Sequence, residues 1–173
     1  MSTLKVDTIS PKTSWTTDEI AGNTVSPAGA VLQVVQNIVG NTTFSGVQSD
    51  VATTYLVTIT PSSTSSKILV SFTGAVQNND GCVAWKVKRS IGGGSYTSTA
   101  TSTYTGLTNR GGYYNTSNLA CQVLDSPNTT SVVIYKLYVT GNQIGGGPTV
   151  YFGRDNYGTY TADTHCTAME IAG

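Results

Sequence analysis

One histidine, three cysteines and nine acidic side chains are the inventory from which this 173-residue chain could build a reactive centre. His165 would need a cysteine or an acid beside it to serve as the base of a nucleophile–base pair. It lies instead in the alternating run HCTAMEIAG, which has the pattern of a strand, so a structural histidine is expected. The sequence contains no G-x-S-x-G, H-E-x-x-H or P-loop motif. The glycine runs IGGGS and IGGGP carry no phosphate-loop lysine, open no helical pattern, and read as hairpin tips. Paired carboxylates for glycan hydrolysis would have to come from Asp80, Asp125, Asp155, Asp163 and Glu170. Asp80 and Asp125 fall in turn motifs, where aspartate bonds the local backbone. Asp155 and Asp163 flank the segment RDNYGTYTAD, which offers groups for a sugar or a calcium ion but lacks EF-hand spacing. The expectation is a chain with no catalytic residues, no cofactor and no metal.

The cysteines, Cys82, Cys121 and Cys166, are odd in number, widely spaced, and form no C-x-x-C pair. All three sit in apolar strand patterns, which predicts core thiols. No secretory signal opens the sequence, so folding in a reducing cytoplasm is expected, with the sequons at Asn41, Asn115 and Asn128 unmodified.

The ten tyrosines say more. Tyr135, Tyr138 and Tyr151 belong to strand patterns and should be packed. Tyr96, Tyr104, Tyr113, Tyr114, Tyr157 and Tyr160 fall among Gly, Thr, Asn and Arg in loops. Tyrosine combines a large rigid face with a polar tip at low entropic cost. Such loops suit either contact with a sister subunit or neighbouring protein, or the stacking of sugar rings beside Asn and Asp.

The elements that must position these residues are strands. Period-two alternation and turn residues recur along the chain, and helical periodicity is almost absent. Strands are predicted over 30–39, 55–60, 67–76, 82–90, 119–125, 131–140, 149–154 and 165–173. Ile68, Val70 and Phe72 share one face, as do Val83, Trp85 and Val87, with Lys86 and Lys88 opposite the latter set. The strands 67–76 and 82–90, separated by NNDG, read as a hairpin. SVVIYKLYVT is apolar on both faces and should lie centrally in its sheet. Residues 91–118 read mostly as long loops, with a strand near 96–104. The fold class that follows is all-β: an antiparallel, jelly-roll-like β-sandwich over 29–173, preceded by an extended N-terminal arm and linker over 1–28.

Charged residues make up only 10% of the chain and balance to zero, against about 25% in typical domains. There is no basic stripe for nucleic acid and no polybasic segment for a membrane surface. So bare a surface is either solvated by Thr and Ser or covered in an assembly. The opening MSTLKVDTIS points to the second. Burying Leu4, Val6 and Ile9 is worth about 1.5–3 kcal/mol each, whereas ordering the backbone around them costs about 1–2 kcal/mol per residue. Three side chains cannot order nine residues. Unless it simply frays, the arm needs main-chain pairing with a sheet edge or burial between subunits.

STLKVDTIS resembles the N-termini of tailed-bacteriophage virion structural proteins, tail-fibre-like proteins in particular. TPSSTSSKILVSFTGAV, VLDSPNTTSVVIYKLYV and CTAMEIAG are similar to the β-rich, often trimeric surface domains of the same proteins. The likeness touches most of the chain outside 91–118. It implies a non-enzymatic homotrimer assembled in the host cytoplasm into the virion, with residues 3–9 at the attachment end and exposed loops at the distal end. There the loop tyrosines, with Asp155 and Asp163, would meet a host cell-surface glycan. The chain has no heptads, collagen-like repeat or other shaft. That departure keeps a compact capsid-decoration protein open beside a tail fibre, and a soluble carbohydrate-binding module is a third reading.

Overall fold

The computed structural model describes residues 18–20, 23–79, 81–99, 106–108, 115–142, 147–154 and 158–173. Leu4, Val6 and Ile9 lie outside them. Within the span read as linker, β1 (Asp18–Ile20) and β2 (Asn23–Val25) form a small antiparallel pair. The body is built from β3 (Val31–Val39), β4 (Thr42–Phe44), β5 (Val51–Ile59), β6 (Lys67–Asn78), β7 (Cys82–Ile91), β8 (Thr97–Ser98), β9 (Gly106–Thr108), β10 (Asn115–Asp125), β11 (Val133–Asn142), β12 (Val150–Phe152) and β13 (Thr164–Ile171). No helix occurs among the described residues.

Two sheets share these strands. In the first, β3, β13, β6 and β10 lie side by side, with β12 and then β4 continuing beside the C-terminal part of β6. In the second, β5, β11 and β7 lie side by side, and β8 and β9 line the far side of β7. The pairings nest. β3 pairs β13, β5 pairs β11, β6 pairs β10 and β7 pairs β9, so the chain is one long antiparallel hairpin wrapped around a core. That nesting is the jelly roll.

Alternation drives it. Ile68, Val70 and Phe72 of β6, Leu119 and Cys121 of β10, and Cys166 and Ala168 of β13 turn inward from the first sheet. Tyr55, Val57 and Ile59 of β5, Val83, Trp85 and Val87 of β7, and Val133, Tyr135, Leu137 and Val139 of β11 meet them from the second. β11 is central, as its two apolar faces predict. At one end, Phe152 packs against Tyr55 at 5.0 Å and edge-on to Phe44 at 5.9 Å.

Several expectations need correction. NNDG does not make a hairpin, since β6 lies in the first sheet and β7 in the second. Val76, Gln77 and Asn78 are all buried as the chain turns from one sheet to the other. The Asn78 side chain donates to the Gly81 carbonyl at 2.8 Å, Gly81 takes a φ of 72°, and the Asn79 side chain accepts from the Thr149 amide at 2.8 Å. The same residues that suit a tight turn thus suit a corner. Cys82 is exposed, because Val83 takes the inward phase of β7; Cys121 and Cys166 are buried as expected. The 91–118 span holds β8, β9 and the first part of β10, the last beginning at Asn115.

Candidate functional site

The two carboxylates placed deepest among the described residues are structural. Glu170 and Asp125 both sit on the inner face of the first sheet, on either side of Ile68. Glu170 has no exposed surface. Its carboxylate accepts from the Ser62 amide at 2.6 Å, the Ser62 and Ser66 hydroxyls at 2.7 Å, and the Gln33 amide nitrogen at 2.5 Å. Burial raises its pKa, but the bonds from Ser62, Gln33 and Ser66 outweigh that and hold it down at about 2. One side chain thereby ties β13 to β3 and to the PSSTSS turn after β5. Asp125 is not a turn residue bonding its own backbone. It ends β10 inside the sandwich and accepts from Nη1 of Arg89 on both oxygens and from the Tyr135 hydroxyl at 2.8 Å. Arg89 and Tyr135 are cross-strand partners in the second sheet, so the triad joins the two sheets. Burial, then the neighbouring Asp125 charge, pushes the Tyr135 phenol up. Both carboxylates serve to join elements of the fold. Among the described residues, no three His, Cys, Asp or Glu side chains gather as a metal site. His165 is exposed on the outer face of the first sheet, beside Ile38 and Thr73, and burial pushes the Cys166 thiol up to about 12.

Of the loop residues read as recognition or contact sites, Tyr104, Tyr113, Tyr114, Asp155 and Tyr157 lie outside the described residues. The rest divide. Tyr160 is 77% exposed and Asp163 is exposed, both in the connection from β12 to β13. That connection leaves through Gly153, whose φ is 63° and whose Cβ position is filled by the Ala162 carbonyl. Tyr96 is elsewhere, half-buried on the outer face of the second sheet. Its ring lies 5.8 Å from that of Tyr138, under Lys136 at 5.1 Å, and Lys88 sits 4.3 Å over Tyr138. Asp50 binds Lys86 at 2.7 Å and Lys88 at 2.9 Å. Partial burial raises the Asp50 pKa, but the two lysines prevail and lower it. This cluster fastens the segment before β5 and the Tyr96 loop onto the sheet. Tyr138 is accordingly only half-buried, and it packs outward rather than in the core.

The outer face of the first sheet is different. Val34, Met169, Leu69 and Leu124 stand in one row across β3, β13, β6 and β10, as their registers require. Val34 and Leu124 are each 56% exposed, and Val31 and Ile38 on β3 are 57% and 53% exposed. β3 ends its sheet and carries no charge in nine residues, VLQVVQNIV. Apolar surface of this kind, laid across four strands and reaching an open edge, marks a contact surface. Sequence reading marked 30–39 as a strand but missed its place at the edge. Nothing along the run signalled it, because edge strands usually carry lysine or proline and this one carries neither.

No family model matches the sequence, and no curated protein matches it. Among solved structures the chain is similar to those of infectious bursal disease virus, Gx strain (TM-score 0.45, 10% identity) and Gt strain (TM-score 0.46, 11% identity). It is also similar to the crystal structure of the infectious bursal disease virus VP2 subviral particle (TM-score 0.41, 12% identity). Each likeness covers 94% of this chain but only 46%, 42% and 42% of the other, so the chain spans less than half their length. No helix among the described residues is long and apolar enough to cross a membrane.

Proposed function

We propose that this chain is a non-enzymatic structural subunit of a virus particle, a jelly roll held to its neighbours through the N-terminal arm carrying Leu4, Val6 and Ile9. The observation that carries this reading is the uncharged edge strand β3 opening onto an exposed apolar face, with Val31, Val34, Ile38 and Leu124 all more than half exposed. A free-standing subunit with that surface would associate. Glu170 and Asp125, the deepest acidic groups among the described residues, are each engaged in joining elements of the fold, which supports a structural reading. The resemblance to tailed-phage virion proteins supports reading the particle as a phage, the subunit as tail-fibre-like and the oligomer as a trimer. Exposed Tyr160 and Asp163 are then the described part of a host-surface contact. A capsid-decoration role is the alternative, and it requires no ligand at those residues.

The test is removal of residues 1–17. The shortened chain should keep the far-ultraviolet spectrum and melting behaviour of the intact one yet fail to enter particles. Light scattering should give a trimer mass for the intact protein and a monomer mass for the shortened one. Normal incorporation without the arm would refute the reading.

A further inference from the structure

β3 is an edge of unusual character. Its first-sheet partner β13 occupies one side only. On the other side lies the rim of the second sheet, and there β3 offers side chains. The Gln33 amide nitrogen donates to the Thr60 carbonyl at 2.8 Å, and that of Asn37 to the Leu56 carbonyl at 2.9 Å. These contacts serve the edge of β5. The main-chain groups of β3 that face away from β13 pair with no strand among the described residues. Natural edge strands are usually blunted by lysine, proline or a bulge. β3 has neither residue, and its one irregularity falls at its N-terminal end, opposite Glu170 and Ile171.

We propose that the free edge of β3 is the docking site for the strand formed by residues 3–9 of a second copy of this chain. The inference rests on the assembly-arm reading above and names where the arm goes. Three observations support it. First, reach: residues 1–17 can extend to about 60 Å, twice the roughly 30 Å length of a nine-residue strand such as β3. Second, the exit point: Gly29 donates to the Ala172 carbonyl and Ala172 to the Ala30 carbonyl, each at 2.8 Å, so the chain enters the body as a continuation of the β3–β13 ladder. The chain N-terminal to Gly29 thus departs from the β3 side of the first sheet. Third, the pattern is two-sided. In a strand, Leu4 and Val6 share one face and Lys5, Asp7 and Ile9 the other. Laid beside β3, Leu4 and Val6 extend the apolar face that carries Val34, Met169, Leu69 and Leu124, while Lys5, Asp7 and Ile9 fall on the side of Gln33 and Asn37.

A complementation experiment tests this. Val34→Lys with Ile38→Lys charges the acceptor edge at positions more than half exposed, so the fold should be retained. Alone, this full-length variant should be monomeric by light scattering, as should the chain lacking residues 1–17. Mixed, the charged-edge chain still donates an arm and the armless chain still accepts one, and a one-to-one complex should appear. Hydrogen exchange supplies a readout independent of the substitutions: β3 amides should exchange at least tenfold faster in the armless chain than in the intact assembly. If the charged-edge variant assembles normally while the armless chain does not, the arm docks elsewhere and only this inference falls. If the intact protein is monomeric with β3 protected by its own arm, exchange between copies is overturned. If the armless chain assembles normally, the reading on which the inference rests falls as well.

Discussion

Glu170 shows what a buried charge does when no cation accompanies it. Four donors from Gln33, Ser62 and Ser66 replace water around the carboxylate, and their combined pull exceeds the cost of burial. Its folded-state pKa of about 2 lies below the ordinary 4.5, so the folded state holds the ionised form more tightly than the unfolded chain does. That contribution is complete above about pH 4.5 and is lost as pH falls toward 2. Glu170→Gln turns an amide nitrogen toward donors and should cost about 1–3 kcal/mol at neutral pH, the usual loss for an unsatisfied buried group. Urea unfolding across pH 2–7 checks both points. The difference between the two proteins should shrink as pH falls from 4.5 toward 2, and a constant difference would assign the effect to packing instead.

Strand placement, rather than strand composition, decides which segments are rigid. β11 is paired on both sides over most of its length, and so is the first half of β6 between β13 and β10. β8 pairs through two residues only. Native-state hydrogen exchange should therefore be slowest in β11 and β6, approaching the global unfolding free energy, and fastest in β8. Uniform protection across β8 and β11 would contradict the pairing. Opposite Leu137, three residues of β5 face one of β11, and the Thr53 hydroxyl donates to the Leu137 carbonyl at 2.7 Å. A side chain takes the place of the ladder where the registers part company.

The nested hairpin has a kinetic consequence. Its outermost pair, β3 with β13, joins residues near opposite ends of the body, and among the body's described strands only the β7–β8–β9 turnback is local. Loop closure must precede most of the contacts that reward it, so refolding of the isolated body should take milliseconds to seconds rather than microseconds. Stopped-flow fluorescence of buried Trp85 would register this; a microsecond phase carrying the full amplitude would argue against the nested topology. The same wrapping leaves β3 as a terminal strand, so the surface assigned to assembly is itself a product of the topology.

Much of this architecture was readable along the chain. The inward sets Ile68–Val70–Phe72 and Val83–Trp85–Val87 follow from alternation, because a pleated strand sends successive side chains to opposite faces whatever lies beside it. The central place of β11 follows from its two apolar faces, and the all-β class from the absence of any helical period. Pairing is another matter. Alternation states which residues seek cover but not which strand provides it, so NNDG looked like a hairpin and proved a corner between sheets. Cys82 passed for a core thiol until Val83 claimed the inward phase. Glu170 looked like one of several spare acids, since the serines and the glutamine around it lie more than a hundred residues away in the chain. The exposed face of β3 was equally out of reach. Whether a valine meets solvent or a neighbouring strand depends on the order of strands in the sheet, and that order is set by burial of the whole core at once.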